Sequence, residues 1–345
     1  MALHLYGTDQ ARIGKFKGEV LKRAMIREVL GITGQQKKIP PNNSDTVIYK
    51  RYLPYGGVDN QFMSAGGDAA YVLQHLTTEG VTPSADSITS VNVTAVLQEY
   101  AAVYGYSNRT DELHEDDIPK EMENQLGDRV GLLREMVRFG ALKACTNVFY
   151  GGTGNSVDTV NGKVTASLLR SIKRGLENSH ADMVTDILAP GSGFNTSPVE
   201  AAYLVFCHTD VESDIRDLNG FTPVAEYGNR KVVHPREIGS WESYRFITSP
   251  ELTYRPAAGA LIGVTGLKGN TNIDVYQLII CGENAWGQVA LRGNESLFIT
   301  KKSPKDIDKS DILGQRGYVG GRMYFDCTIL NDGWMALAHV GVTDL

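Results

Sequence analysis

Seven histidines and four cysteines give this 345-residue chain its widest chemical range, and their spacing decides what they can do. Cys145, Cys207, Cys281 and Cys327 lie far apart, each in an apolar setting and none in a C-x-x-C pair, so the sequence predicts buried free thiols. His114-Glu115-Asp116-Asp117 offers nitrogen and oxygen donors for a metal. Consecutive residues at a helix start diverge, however, and an acid-rich cap accounts for them. His208 and Asp210 flank a strand-to-helix turn, a common position for catalytic groups, without a serine elbow, a second paired histidine or an H-E-x-x-H motif. His234-Pro235 and His339 have no partner at metal-ligand spacing. Gly151-Gly152-Thr153-Gly154-Asn155 has the composition of a phosphate-cradling loop. It lacks the Gly-Lys-Ser/Thr ending and follows a predicted helix, so it reads as a helix C-cap and turn. The sequence therefore assigns no catalytic, no cofactor-binding and no metal-ligating residue, while a site assembled from distant residues stays open.

Composition points to a globular body: 42% hydrophobic and 21% charged residues, with no run of about 18 consecutive apolar residues that would span a bilayer. The opening Met1-Ala-Leu-His-Leu-Tyr-Gly lacks a basic stretch followed by an apolar one, so synthesis and folding in a cytoplasm are expected. The net charge of -6 is unevenly shared. Residues 1–40 carry Arg12, Lys15, Lys17, Lys22, Arg23, Arg27, Lys37 and Lys38 against Asp9, Glu19 and Glu28. A basic arm on an acidic body suits docking on an acidic surface, and the acidic body argues against sequence-specific DNA binding.

The elements that would position these residues are uneven in length. From Ile118 to Val148, apolar residues recur every three or four positions (Ile118, Met122, Leu126, Val130, Leu133, Val137, Ala141, Ala144, Val148), predicting one helix roughly 45 Å long. A shorter second stripe, Leu132, Met136, Phe139 and Leu142, predicts that its C-terminal half is covered on two sides. Residues 11–31 form a basic amphipathic helix with Ile13, Phe16, Val20, Ala24 and Met25 on one face, and the polar, proline-bearing stretch 35–44 reads as a linker. Deleting residues 1–40 should on this reading leave a folded body. Strands at 46–53 and from Ile88 onward, more than thirty residues apart, predict a long projecting hairpin that needs a partner surface.

A compact α/β region follows the long helix. It comprises a helix over 168–188 interrupted at 177–179, a buried strand at 201–206, a helix over 211–218 capped by Thr209 or Asp210, a loop-rich stretch over 221–254, and strands at 275–280 and 287–291. Residues 317–330 and 334–340 predict a closing antiparallel pair around Asn331-Asp332-Gly333.

Arm, hairpin, long helix, α/β lobe and closing strands occur in the order of the HK97-type shell proteins, and particular motifs tighten the likeness. His75-Leu-Thr-Thr-Glu79-Gly80-Val81-Thr82-Pro83, followed by Val91-x-Val93-Thr94-Ala95-x-Leu97-Gln98-Glu99-Tyr100, resembles the E-G-V-T-P and strand signature of major capsid proteins related to the N4 phage capsid protein. Lys143-Ala144-x-Thr146-Asn147-Val148-Phe149-Tyr150, His208-Thr-Asp210-x4-Ile215-Arg216-Asp217-Leu218, Asn284-Ala285-Trp286-Gly287 and Gly314-Gln315-Arg316-Gly317-Tyr-Val-Gly320 resemble further landmarks of that family.

The resemblance implies an α+β, HK97-like capsid fold. Its parts would be an N-terminal arm (1–45), an E-loop hairpin (46–100), a P-domain with a spine helix (101–160), an A-domain (161–300), and C-terminal strands returning to the P-domain (301–345). It implies a major capsid protein that self-assembles as hexamers and pentamers into a virion capsid in the host bacterial cytoplasm. Scaffolding, portal and decoration proteins would be its partners, with packaged double-stranded DNA nearby, no membrane and no cofactor. A nanocompartment shell of the same fold and a cytosolic α/β enzyme with a dispersed site remain the alternatives.

Overall fold

The computed structural model describes residues 28–40, 42, 44–53, 76–82, 88–113, 117–188, 196–228, 230–263, 266–291, 298–307 and 309–345. Their strands are β1 (Gln35–Ile39), β2 (Thr46–Tyr52), β3 (Ser90–Val96), β4 (Gln98–Ser107), β5 (Val148–Tyr150), β6 (Val184–Leu188), β7 (Thr196–Cys207), β8 (Thr222–Pro223), β9 (Glu237–Trp241), β10 (Tyr244–Thr248), β11 (Tyr276–Cys281), β12 (Trp286–Leu291), β13 (Phe298–Lys302), β14 (Arg316–Ile329) and β15 (Met335–Val340). The α-helices are α1 (Asn108–Leu113), α2 (Ile118–Leu142), α3 (Ala166–Asn178) and α4 (Glu212–Arg216).

Two sheets and a separate ribbon organise these strands. The first sheet centres on β14, which pairs antiparallel with β4 over ten residues and with β12 and then β13 in succession; β1 adds to β12 in parallel. The second, eight-stranded sheet runs β5-β15-β11-β7-β10-β9-β8, with β6 also on β7. Its central strands β9, β10, β11 and β15 are buried along their whole length, covered on both faces. α3 covers this sheet through Leu169, Ile172 and Leu176 in a core shared with Tyr244, Phe246 and Leu278.

The two sheets are stitched by one continuous antiparallel ribbon. Tyr276–Cys281 pairs with Val340–Met335 in the second sheet, and Trp286–Ala290 pairs with Ile329–Phe325 in the first. Between the sheets the ladder is held by Gly282 N donating to Trp334 O at 2.9 Å and Leu330 N donating to Ala285 O at 3.0 Å. β14 and β15 are thus successive but lie in different sheets, not paired as the hairpin-like turn predicts. Asn331 ends β14, its side chain accepting from Gly333 N, and a single 3-10 turn redirects the chain. The burial patterns differ accordingly: β14 alternates, whereas β15 is covered on both faces.

The long helix is real but shorter than its apolar period suggests. It ends at Leu142, making it about 37 Å long, and Val148–Tyr150 is a strand on β15. β-branched Thr146 and Val148 with Asn147 favour extended chain over helix, and Cys145 is buried without helical backbone. Ile118, Met122, Leu126 and Val130 face the first sheet as predicted. Of the second stripe, Phe139 and Leu142 are buried in the main core, while Leu132 and Met136 are only half-buried.

Other departures have local causes. Residues 35–39, read as linker, form edge strand β1, whose single fully covered side chain is Ile39. Their polarity reflects an edge, not a tether. Residues 179–188 leave the helix at Ser179 and become β6, and the loop-rich stretch 221–254 contains the buried pair β9–β10, turned at Glu242 with φ 49. The amphipathic stretch 11–27 and the glycine-rich excursion 54–75 fall outside the described residues.

Residues 28–39 are therefore core, which corrects the expectation that 1–40 can be removed. Val29 and Leu30 are 0% exposed and Ile32 and Ile39 are buried. Losing four such side chains costs on the order of 6–12 kcal/mol, the size of a whole domain's stability. Deletion of residues 1–27 is expected to leave a cooperative thermal transition, and deletion of 1–40 to abolish it; calorimetry on both truncations distinguishes them.

Candidate functional site

His208, Asp210 and the glycine loop are taken up by local structure. His208 Nδ1 accepts from Asp210 N at 3.1 Å, so His208, not Thr209 or Asp210, caps the short turn into α4. Asp210 Oδ2 accepts from Lys268 Nζ at 2.6 Å and Tyr276 OH at 2.7 Å. Burial opposes its charged form, but these donors hold the carboxyl below its usual range. The cluster fastens the 254–275 segment onto β7 and β11. Gly151 N donates to His339 O at 2.7 Å and Thr153 N to Asn161 Oδ1 at 2.9 Å. A Cβ on Gly152 would meet Asn161 Oδ1 at 2.0 Å, so this loop, which follows strand β5 rather than a helix, is filled by its own chain.

Asp117 caps α2 by accepting from Lys120 N at 2.9 Å; His114, Glu115 and Asp116 lie outside the described residues. All four cysteines are free and buried, and burial pushes the Cys145 and Cys327 thiols up to about 12. Among the described residues, no group of three or more His, Cys, Asp or Glu side chains is placed to hold a metal, and no helix is long and apolar enough to cross a membrane.

His339 illustrates how burial replaces chemistry. It is 3% exposed on β15 and stacked on Tyr150 at 5.6 Å. Burial, with Arg255 nearby, pushes its imidazole down to about 4. Between pH 6.5 and 4 the unfolded chain binds this proton more readily than the folded one. Stability should therefore fall as pH falls through that window, by at most about 1.4 kcal/mol per pH unit from this residue. Unfolding free energies from urea titrations of the wild type and His339→Gln across that range should differ in their pH slope by up to this amount; parallel slopes would contradict it.

What the fold does present is a surface. β2 and β3 pair antiparallel from Thr46↔Val96 to Tyr52↔Ser90 as a two-stranded ribbon outside both sheets. Its base is held by Ile39, Tyr49, Ala95 and Val289 in a small core, by Leu97 N donating to Asp45 O at 2.8 Å, and by Val96 N donating to Asp326 Oδ2 at 3.0 Å. Register puts Val47, Tyr49, Val93 and Ala95 on the inward face. The opposite face carries Ile48 at 59% and Tyr52 at 62% exposure, and Ile88 just before β3 is 82% exposed. An open cleft of about 780 Å³ runs under the ribbon, between Arg51 and Val93 on one side and Ala141, Ala144 and residues 327–333 on the other. Exposed large apolar residues on a two-stranded ribbon lack the burial that stabilises such elements, so this ribbon is built to meet another surface.

A second constellation was missed at the sequence level. At the C-terminal half of α2, Arg134 and Arg138 both pair with Glu28, the latter at 2.7 Å. Glu135 Oε1 accepts from Val29 N at 3.1 Å and Leu30 N at 3.0 Å, and Arg138 also donates to Gln288 Oε1. Burial would raise the Glu28 carboxyl, but Arg134 and Arg138 more than offset it and hold it low. Burial outweighs Arg138 at Glu135 and pushes that carboxyl up. The signal available in sequence was Arg134, Glu135 and Arg138 at spacings of one, three and four, which places them on one side of a helix.

An unpaired projecting ribbon, a long helix laid across a β14-centred sheet and a separate eight-stranded lobe define an HK97-like shell fold of the α+β class. The chain is structurally similar to the capsid of Ralstonia phage GP4 (TM-score 0.63, 12% identity, 90% of this chain against 87% of that one). It is similarly close to the cyanophage Pam1 capsid (TM-score 0.57, 14% identity, 98% against 96%) and to the head of Helicobacter pylori bacteriophage KHP40 (TM-score 0.54, 12% identity, 91% against 90%). No family model matches the chain, and no curated sequence is significantly similar. At these identities the likeness is one of fold.

Proposed function

We propose that this chain is a phage major capsid protein, whose copies associate through the projecting ribbon into the icosahedral head. The observation that carries the reading is the exposed apolar face of β2–β3 on a fold that matches phage capsid chains over nearly their whole length. Closed symmetric assembly repeats each modest contact many times, so interfaces weak on their own yield a durable particle. The role is structural, not catalytic, in keeping with the local uses found for His208, Asp210 and the glycine loop.

Within this proposal, residues 1–45 act as the arm, with 28–39 packed into the body, 46–100 as the E-loop, 101–160 together with β12, β13 and β14 as the P-domain, and the remainder of 161–300 as the A-domain, to which β5 and β15 contribute strands. The E-G-V-T-P landmark at Glu79–Pro83 supports a finer placement near the N4 capsid protein and hence in a tailed, double-stranded DNA phage. Scaffolding, portal and decoration proteins would then be partners, assembly would occur in the host cytoplasm, and DNA would be enclosed without sequence readout.

Electron microscopy of the purified protein, alone and co-expressed with scaffolding protein, is expected to show closed shells or their hexamer and pentamer units. A monodisperse 37.7 kDa monomer under every condition, with measurable turnover, would overturn the proposal. Shells that co-purify with enzyme cargo and assemble without a portal would favour the nanocompartment alternative.

A further inference from the structure

The ribbon meets the body at a short junction whose contacts differ in kind. The antiparallel ladder of β4 on β14 runs without a register break from Arg316↔Ser107 to Phe325↔Gln98, and there it stops. One residue further on, the chain leaves the sheet at Leu97 and enters β3, which pairs with β2 in a sheet of its own. The two amides at this bend take different partners. Leu97 N donates to Asp45 O at 2.8 Å, within the ribbon's own stem, whereas Val96 N donates to Asp326 Oδ2 at 3.0 Å, a bond to the body. Asp326 is the β14 residue just past the last ladder pair, opposite Val289 of β12. Its side chain thus takes up an amide where backbone pairing with β14 has run out. The neighbouring support is apolar. Tyr49 is 5% exposed and lies over Gly287, where an added Cβ would come within 2.9 Å of its Oη, yet that hydroxyl has no hydrogen-bond partner. Further along the ribbon, Arg51 and Val93 border the open cleft of about 780 Å³.

We infer that Asp326 is the positioning residue of the ribbon, fixing through Val96 the angle at which it leaves the body. Apolar contact is non-directional and tolerates sliding, whereas a hydrogen bond weakens steeply as its angle departs from linear. A carboxylate acceptor makes the bond charge-assisted, and Asp326 is half-buried, which limits competition from water. The lever it controls is long. Seven residues of β2 and β3 extend about 23 Å, so a turn of about ten degrees at the base moves the far end by about 4 Å, close to the spacing of paired strands. One consequence rests on the proposed role of the ribbon in joining copies: a contact angle repeated around a closed shell sets its curvature, so this carboxylate also sets particle size.

Spin labels on the full-length subunit read this angle as a distance by pulsed electron resonance. One label goes on the ribbon at Asn92→Cys, and the other on α2 at Gly140→Cys, an exposed site with nothing within 4 Å of an added Cβ. The four native thiols are buried and stay unlabelled. A single narrow distance is expected. Asp326→Ala should at least double its width while moving the thermal midpoint by less than about 3 °C, and Asp326→Asn, which keeps an acceptor oxygen, should restore the narrow distance. Should Asp326→Ala not fold, Val96→Pro, which removes the donor and leaves the carboxylate, is expected to broaden the distance equally. Shells of Asp326→Ala are expected to spread over at least twice the wild-type range of diameters. An unchanged width in Asp326→Ala and Val96→Pro would overturn the inference, as would an Asp326→Asn width equal to that of the alanine variant. A wild type that shows the narrow distance but forms no shells would count against the assembly reading and leave the assignment of Asp326 standing.

Discussion

Replacing Arg138 with alanine is expected to destabilise the subunit by about 3–5 kcal/mol, the usual cost of stranding a buried charge. The guanidinium is buried on α2, pairs with Glu28 at 2.7 Å, lies 3.6 Å from Glu135 Oε2, donates twice to Gln288 and rests over the Phe325 ring. Its removal leaves Glu28 with Arg134 alone, Glu135 with only its backbone donors and the Gln288 amide oxygen without its partner, all in a buried cavity, and a loss of this size is a large part of the 5–15 kcal/mol that holds a typical domain folded. Urea denaturation measures it. The double substitution Glu28→Gln with Arg138→Met should recover part of the loss, because it removes both signs of charge together while keeping volume. A double variant at least as damaged as the single one would show that packing, not charge, sets the cost.

Ile48→Asp combined with Tyr52→Asp is expected to leave the subunit's thermal midpoint within about 2 °C of the wild type and to reduce shell yield at least a hundredfold. The first half follows from exposure: both side chains point away from the small core around Tyr49 and Ala95, so the folded subunit loses almost no buried area. The second follows from multiplication, since a charge placed in every copy's contact is repeated at each interface of a closed shell. Sedimentation and electron microscopy read the yield, and calorimetry reads the midpoint. Normal shells from this variant would mean that the outward face of the ribbon is not an assembly surface.

The sequence was most readable where one face of an element is wet. The period of four from Ile118 to Val130 and the cap at Asp117 appear where they were expected, because half-burial writes a period into the chain. It was least readable where both faces are covered or neither is. β9 and β10 carry no alternation and are split by prolines and glycines, so they look like loop until their neighbours β7 and β8 are in place. β1 is polar because it lies at an edge, and its partner β12 is some 250 residues away. The end of α2 was overrun because Ala144 and Val148 continue the apolar period by coincidence; tertiary pairing of Val148 with Leu337 decides the matter. The cluster of Glu28, Arg134, Glu135 and Arg138 hid for a related reason. Charged residues on a helix are ordinarily read as its solvent side, and the segment that covers them comes from over a hundred residues earlier.

The ribbon that joins the two sheets also governs when the molecule can exist. β14 is the strand on which β4, β12 and β13 converge, and β15 sits between β5 and β11. Both lie within residues 316–340, after every strand they pair with, so neither sheet can close until that segment is in place. Contacts spanning more than 200 residues, such as Ser107 with Arg316, make this a slow, non-local closure. Closure of both sheets is therefore a single late event, set by the arrival of residues 316–340.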